Sequence, residues 1–357
     1  MRIRLLGVYF KARGYPLRGL PSGRIQSRSP ISGAISIIPK WPLMLLSLAC
    51  ALFAAPTAAQ DYPTKAITII VPLSAGGGTD LLARVLAAKL HDRFGQPVTV
   101  ENRPGAAGNI GADAVFKAAP DCYTLMFTQP APLAVNKALY GKLTYEPEQF
   151  VPIALVSRQD IMLAVNPKVP ANNLQELIAY AKANPGKLNF GSSGAGSAPH
   201  LAAELFCAMA GIKMVHVPYK GSSGSMTATL GGQIDLTFFA FSSALRNAKA
   251  GRLRAIAVGG TKRNALLPEV PSISEVLPGY SATSWTALVA TPSTPAPVAQ
   301  KLSQAVSEIV KMPDVQQRLT DAGDESFDMT PAQMAAFLQE ESQRWGNLIK
   351  TVGITTQ

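Results

Sequence analysis

Along most of this chain, short apolar runs rich in Val, Ile and Phe alternate with longer segments in which apolar residues recur every three or four positions. Short runs of this kind are typical of buried strands, and the longer period is typical of amphipathic helices. The predicted strands span 66–71, 97–100, 123–128, 161–165, 188–190, 214–217, 234–239, 253–258 and 285–290. The predicted helices span 79–94, 174–183, 199–210, 298–310 and 331–351. This alternation predicts an α/β fold with mainly parallel sheets.

Two of the predicted strands run directly into glycine- and serine-rich turns that lead into helices. The first turn, residues 73–80, reads Leu-Ser-Ala-Gly-Gly-Gly-Thr-Asp, and the second turn, residues 191–197, reads Gly-Ser-Ser-Gly-Ala-Gly-Ser. Turns of this kind leave backbone N–H groups unpaired at the start of a helix, where the helix dipole also favours negative charge. Two such anion seats predict a clamp for a small acidic molecule. The purely structural interpretation of the first turn is a tight connection in which Asp80 only caps the helix.

Segments rich in Pro and Gly mark places where the chain can pass between domains. They include 167–170, 267–278 and 291–297. We predict that domain one comprises residues 61–160 and 284–357, and that domain two comprises residues 161–283. In this arrangement the two turns lie in different domains and face each other.

The first 59 residues differ in charge from the rest of the chain. They carry eight Lys and Arg residues, and no acidic residue occurs before Asp61. This basic segment, the apolar run 41–55 and the small residues up to Ala59 predict a secretory signal that is cleaved near Ala59, which would place the mature protein in the periplasm. The true translation start and lipidation at Cys50 stay open.

Removal of this leader changes the charge balance. The whole chain has a net charge of +11, but without the leader 25 basic residues face 22 acidic ones, a net charge of +3. The basic character therefore belongs mainly to the leader, and nucleic-acid binding is not expected. Outside the leader no apolar run approaches the length of a membrane span, so we expect the mature chain to be soluble.

Cys122 and Cys207 are the two cysteines that remain beyond the leader. An oxidising compartment permits a disulfide between them, but two cysteines carry no spacing pattern that would indicate one. The alternative is two separately buried thiols, and this interpretation is favoured because free Cys is among the most buried residue types.

Two enzyme motifs fail at the second turn. A P-loop requires Lys before its final Ser or Thr, but Gly196 is followed directly by Ser197. A nucleophile elbow requires Gly at the position that Ala195 occupies. The second turn therefore fits neither a phosphate-binding loop nor an α/β-hydrolase elbow.

A serine hydrolase is still an alternative on composition alone. His200 and His216 could in principle serve Ser193, with a carboxylate such as Asp235, but the geometry that defines such a triad is not visible in a sequence. The three histidines, with His91 far from the other two, show no metal-ligand spacing. Neither a metal nor a cofactor is expected.

A third turn follows the predicted strand 214–217. Tyr219 and Lys220 leave this strand just before Gly221, so they should emerge at the same rim as the two anion seats. Tyr can supply an apolar wall with a hydroxyl donor and Lys a cation, although a solvated role for Lys220 fits equally well. His200, in the first turn of the helix after the second turn, is either a site residue or a buried packing residue.

Taken together, these residues resemble the Bug solute receptors, the extracytoplasmic binding proteins of tripartite tricarboxylate transporters. The likeness spans nearly all of residues 61–350. The segments that carry it are Tyr62-Pro63 with 69–72, 76–80 with Ala83-Arg84, 100–108, 136–140, 184–201, 217–221, 232–235 and 268–271. Their number and their order make the resemblance specific.

The resemblance implies a type II periplasmic-binding-protein fold, in which two α/β domains joined by crossover strands close on a ligand cleft. In the family, a carboxylate of the ligand is held between the two glycine-serine turns by backbone N–H groups and bridging waters. Carried over to this sequence, the ligand-binding residues are Ser74, Ala75, Gly77, Gly78, Asp80, Thr128, Gln129, Ser192, Ser193, Gly196, Ser197 and His200, with Tyr219 and Phe239 as walls.

The resemblance also implies the partners of the protein. They are a small carboxylate ligand and the membrane permease subunits of a transporter, and we expect a monomer that is not an enzyme. A ligand-sensing partner of a membrane signalling protein would use the same site and stays open as an alternative.

Three places depart from the family pattern. One is the first turn, where the family often has Pro or Ala around Ser74, and a serine hydroxyl there could add a hydrogen bond to the ligand. The chain has Cys122 where the family usually has Gly, in a turn that would require a positive φ. It has Ala228 where the family usually has Asp, which removes a cap or a contact at the rim of the site.

Overall fold

The structure, a computed structural model, describes residues 62–219 and 221–355. The predicted leader with its cleavage point near Ala59, and Lys220, lie outside the described residues. The strands of the described part are β1 (Ile67–Val71), β2 (Val98–Asn102), β3 (Thr124–Thr128), β4 (Val151–Val165), β5 (Asn189–Ser192), β6 (Val215–Pro218), β7 (Leu236–Ala240), β8 (Arg254–Val258), β9 (Thr283–Ala290) and β10 (Asp324–Ser326).

The helices of the same part lie mainly between these strands. They are α1 (Gly78–Phe94), α2 (Asn109–Phe116), α3 (Asn136–Tyr140), α4 (Leu174–Ala183), α5 (Ala198–Ala210), α6 (Ser222–Leu230), α7 (Phe241–Lys249), α8 (Ala296–Val310), α9 (Pro313–Ala322) and α10 (Pro331–Val352). A π-helical turn at Ala131–Val135 precedes α3 directly. Turns of this type are rare and occur often at functional sites.

The strands pair in two groups that share one long strand, β4. In the first strand group β1 is parallel to β2 and β3, while β9 runs antiparallel to both β3 and the first part of β4. In the second strand group β5, β6 and β7 are parallel to one another, and β7 and β8 run antiparallel to the last part of β4. The change of partners falls between Asp160, which pairs with Thr283, and Ile161, which pairs with Ala240.

This topology sets the direction in which the parallel strands point. Strands β1 to β3 run in the same direction as β4, and therefore their carboxyl ends point towards the second strand group. Strands β5 to β8 run against β4, and therefore their carboxyl ends point towards the first. The loops that follow both sets of strands meet at the junction beside the middle of β4, which is where ligands bind in open α/β sheets.

The predicted domain boundary between residues 160 and 161 coincides with the change of partners along β4. Strand β9 begins at Thr283, one residue before the predicted return to domain one. The division into two domains itself stays a prediction.

Helix α10 packs against both strand groups. Its first half places Met334 in a cluster with Trp285 of β9, while Trp345 and Ile349 lie in the cluster around Phe190 of the second group. Buried Glu341 of this helix accepts hydrogen bonds from Nε1 of Trp285 at 3.0 Å and Nε1 of Trp345 at 3.1 Å. The two strand groups are thus linked by a packed helix as well as by shared strands.

Cys122 and Cys207 are both buried, and neither forms a disulfide within the described part of the chain, so the prediction of two separate thiols is confirmed for this part. Cys122 adopts a φ of 65°, so the positive φ expected at this turn is present with a Cys side chain. The Tyr62 hydroxyl donates to the Cys122 carbonyl at 2.7 Å and supports this turn. Within the described ranges, no helix combines the length and the apolar character needed to cross a bilayer.

Candidate functional site

The first turn leaves a row of backbone donors at the start of α1. Residues 74–78 are exposed, and Gly76 provides the positive φ, 83°, that brings the chain from β1 into the helix. The N–H groups of Gly77, Gly78 and Thr79 have no hydrogen-bond partner within the described residues. Among the described residues, no atom lies within 4 Å of where a Cβ of Gly78 would stand, and the nearest atom to a Cβ at Gly77, the Ser74 carbonyl oxygen, is 3.8 Å away. An anion can therefore approach this backbone closely.

The Asp80 side chain stabilises the first turn through hydrogen bonds. Its side chain is 2% exposed and accepts hydrogen bonds from Gly76 N–H at 2.8 Å, Arg84 Nε at 3.1 Å and Asn102 Nδ2 at 3.0 Å. Burial opposes the charge of this carboxyl, but the hydrogen bonds from Arg84 and Gly76 outweigh it and lower the pKa of Asp80. Both carboxylate oxygens are therefore occupied by partners within the protein. Asp80 accepts the N–H of Gly76, before the N-cap residue Gly77, so it stabilises the turn, and the helix-capping role that the sequence suggested is not observed within the described residues.

The loop after β3 connects the first turn to the second. Gln129 Nε2 donates to Thr79 Oγ1 at 2.9 Å, while Thr128, the last residue of β3, is buried. The same loop continues through the π-helical turn into α3, where Leu139 lies against Gly196 of the second turn. A Cβ built on Gly196 would stand 2.1 Å from Leu139 Cδ2. Residues 129–139 thus touch both turns and place them at one junction.

Hydrogen bonds to the side chains of Ser192, Ser197 and His200 stabilise the second turn. Ser192, which is fully buried, accepts the N–H of Gly194 at 3.1 Å. The Ser197 hydroxyl donates to the Gly194 carbonyl at 2.7 Å. The Gly196 N–H donates to Nδ1 of His200 at 3.0 Å. The N–H groups of Ser193 and Ala195 have no partner among residues 62–219 and 221–355 and are the donors that the second turn offers.

Two stacked histidines lie behind the second turn. The rings of His200 and His216 are 3.8 Å apart with an angle of 11° between their planes, and Phe190 stacks on His216 at 4.9 Å. Burial, together with the neighbouring His200, lowers the pKa of His216 to about 4. His216 is therefore neutral at physiological pH.

The sequence suggested His216 only as a base for Ser193 and did not indicate the role that the structure gives it. Its Nε2 lies 2.7 Å from Ser192 Oγ, because the parallel register of β5 and β6 pairs Phe190 with His216. The sequence spacing of 24 residues between Ser192 and His216 contains no signal for this contact.

The hydrolase arrangement considered for Ser193 does not form. In the described part of the chain Ser193 has no hydrogen bond to a histidine, and His216 pairs with Ser192 instead. Ser192 is fully buried, and no described carboxylate hydrogen-bonds to His216. A triad requires an accessible nucleophile and a base oriented by a third group.

The two predicted wall residues occupy different environments. Tyr219 is partly exposed, and its N–H donates to the Ser192 carbonyl at 3.1 Å, which connects the third turn to the second. Phe239 is 2% exposed and lies in a hydrophobic cluster opposite Met162 of β4. Tyr219 therefore lies at the junction, whereas Phe239 supports it from within the second strand group.

Two surface cavities lie away from the turns. One, of about 490 Å³, is lined by residues that include Lys249, Leu253 and Val270. The other, of about 310 Å³, lies between Cys207 and Val352. A ligand bound in either cavity can therefore be distinguished from one bound between the first and second turns.

Comparison with known proteins agrees with this architecture. A family profile described as "Tripartite tricarboxylate transporter family receptor" matches residues 82–354. The chain is 37% identical over 309 residues to Protein BugT of Bordetella pertussis, in an alignment that covers 86% of this chain and 95% of BugT.

Solved structures with the same architecture include two with carboxylates. R. palustris Rpa4515 with adipate has a TM-score of 0.77 at 34% identity and covers 83% of this chain and 100% of its own. MatC (Rpa3494) from Rhodopseudomonas palustris with bound malate has a TM-score of 0.73 at 31% identity and covers 81% and 100%. The predicted periplasmic-binding-protein fold is confirmed by these likenesses.

Proposed function

Since this chain belongs to the tripartite tricarboxylate transporter receptor family, we propose that it captures a small carboxylate between its first and second turns. It then presents this ligand to the membrane permease subunits of a transporter. The observation that carries this proposal is the convergence of two glycine-rich turns at the junction beside β4, each with backbone N–H groups that have no partner among the described residues.

Backbone donors suit a receptor that must release its ligand. Unpaired N–H groups at a helix start carry only partial positive charge, and therefore they attract a carboxylate without the full attraction of a lysine or arginine counter-ion. Close to the first turn, Arg84 of α1 is already paired with Asp80 and Asn102. Affinity can then be set by how well the turns are preorganised and by closure around the ligand.

The ligand class follows from the donors and from the neighbours. Adipate and malate, named in the structures of two neighbours, both bear two carboxylates. We propose a small carboxylate for this chain on that basis, with discrimination by residues around the turns such as Gln129 and Tyr219.

The family consists of solute receptors and not of enzymes. We propose that this chain likewise binds its ligand without transforming it. Buried Ser192, with no carboxylate oriented on its histidine partner within the described residues, supports binding over hydrolysis.

Receptors of this family work outside the cytoplasm. We propose a periplasmic location after cleavage near Ala59, a monomeric protein and delivery to permease subunits. The sensing role would use the same turns and would differ only in the membrane partner.

A thermal-shift screen of mono-, di- and tricarboxylates, amino acids and aromatic acids tests the proposal. At about 100 times its Kd, a true ligand should add roughly 2.7 kcal/mol to the free energy of unfolding. Mass analysis of that ligand after long incubation should show it unchanged. Stabilisation by non-carboxylates alone would contradict the ligand class, and product formation would contradict the receptor role.

A further inference from the structure

The second turn does not offer all of its backbone donors to a ligand. Among residues 193 to 196, the N–H groups of Gly194 and Gly196 already donate to side chains, at 3.1 Å to Ser192 Oγ and at 3.0 Å to His200 Nδ1. Those of Ser193 and Ala195 have no partner in the described ranges. The side chains of Ser192 and His200 therefore determine which N–H groups of the second turn remain available to a ligand.

The side chains of Ser192 and His200 both contact His216, whose ring stacks on that of His200. His200 is 4% exposed, and its ring lies 3.8 Å from that of His216. Since Nδ1 of His200 accepts the Gly196 N–H, the neutral ring carries its proton on Nε2, which lies 3.5 Å from Glu204 Oε1. His216 in turn lies 2.7 Å from Ser192 Oγ, the group that receives the Gly194 N–H.

We infer that His200 and His216 are positioning residues of the second turn: they engage the N–H groups of Gly196 directly and of Gly194 through Ser192, and thereby leave those of Ser193 and Ala195 for a carboxylate. Neither histidine contacts the ligand in this arrangement. The hydrogen bonds of the Gly194 and Gly196 N–H groups are a property of the ligand-free protein. The binding of a carboxylate by the N–H groups of Ser193 and Ala195 rests on the proposed function.

Amide hydrogen exchange, followed by NMR on the purified ligand-free protein, tests the first part. His200→Phe keeps an aromatic ring in the stack but removes the acceptor for Gly196. It should speed exchange of the Gly196 amide roughly fivefold, the effect of losing one ordinary hydrogen bond, and leave Gly194 near its wild-type rate. Ser192→Ala should have the reverse pattern, with faster exchange at Gly194 and little change at Gly196.

His200→Asn is the matched control, because its side-chain oxygen can take the place of Nδ1. It should restore slow exchange at Gly196. If both amides exchange faster in both variants, or if His200→Asn behaves like His200→Phe, the two histidines have only a general packing role and the inference is wrong. If His200→Phe does not fold, Ser192→Ala and His200→Asn still decide it through their separate amides.

Calorimetric titration with malate and adipate tests the last part. His200→Phe and Ser192→Ala should each weaken binding about tenfold, while His200→Asn should stay within about threefold of the wild type. If each variant speeds exchange of its own amide but binds the carboxylates with wild-type affinity, the histidines do not influence ligand binding. Their hydrogen-bonding role towards Gly194 and Gly196 would then still stand. Absence of binding by the wild type would count against the proposed ligand class, while the exchange pattern would still decide the positioning role.

Discussion

Gly196 of the second turn packs directly on Leu139 of α3, so close that a Cβ on Gly196 would stand 2.1 Å from Leu139 Cδ2. The contact joins a turn of the second strand group to the loop that follows β3. Gly196 also has a φ of 73°, which L residues adopt only with strain. The site therefore depends on glycine here for packing as well as for backbone conformation.

Gly196→Ala should lower the free energy of unfolding by roughly 2–4 kcal/mol, since it combines backbone strain with displacement of a buried leucine. Gly186→Ala is the matched control, because Gly186 has the same φ of 73° and the structure places no described atom within 4 Å of a Cβ there. It should cost only about 1 kcal/mol. Urea unfolding of both variants measures the difference, and equal losses would show that the contact with Leu139 contributes nothing.

Gly77→Val should abolish carboxylate binding and leave the ligand-free protein nearly as stable as the wild type. Gly77 has an ordinary extended conformation, with φ −79° and ψ 166°, and open space around it. Valine adopts such a conformation readily, but its side chain would block close approach to the backbone donors. Thermal denaturation with and without the screened carboxylate checks this, and a wild-type ligand response would argue strongly against the first turn as a seat.

The stability of the protein should fall between pH 6.5 and pH 4 because of His216. Burial and the neighbouring His200 lower its pKa from 6.5 to about 4, so the unfolded chain binds a proton in this range that the folded protein rejects. Stability from this group is fully present above pH 6.5 and is lost on acidification. The shift corresponds to about 3 kcal/mol without screening, and to about 2 kcal/mol because the ring is only half-buried and solvent screens its charge. His216→Gln should flatten this part of the profile of unfolding free energy against pH. An unchanged slope in the variant would assign the loss to other groups.

Asp324→Asn should stabilise the protein at pH 8. Burial raises the pKa of Asp324 from 3.8 to about 6, although Gln159 and Ser157 hydrogen-bond to it. Its favourable neutral form is present below about pH 4 and is lost as the pH rises through 6, so the charged form destabilises the protein at pH 8.

The expected gain for Asp324→Asn is roughly 1–2 kcal/mol at pH 8 and close to zero at pH 4. Glu325→Gln is the control, since that side chain is 67% exposed in a surface pair with Arg158. It should change stability little at either pH. A gain for Asp324→Asn that does not depend on pH would contradict the raised pKa.

Much of the fold could be predicted because its strands are short apolar runs. The segment 151–160 was missed, since it contains Pro152 and ends in Ser-Arg-Gln-Asp, and it is a strand because β9 and β10 pair with it. Helix α6, Ser222–Leu230, was missed because Ser, Thr and Gly give it no clear apolar stripe. These elements depend on contacts with distant parts of the chain, which a local pattern does not contain.

The two turns of the candidate site could be found for a local reason: a glycine-serine stretch between a strand and a helix has the same consequences in any fold. The side-chain contacts that stabilise the two turns could not be predicted from the sequence. The pairing of Ser192 with His216 follows from the register of β5 and β6, and the contact of Gly196 with Leu139 follows from the path of the loop after β3. The ligand-binding role of the turns stays a prediction.

The most direct test of the central claim is a crystal structure with the carboxylate that the thermal-shift screen selects. We expect one carboxylate group at the junction, with oxygens within about 3 Å of backbone nitrogens from both the first and the second turn. A carboxylate bound by one turn alone, or in the cavity of about 490 Å³ beside Leu253 with neither turn in contact, would contradict it.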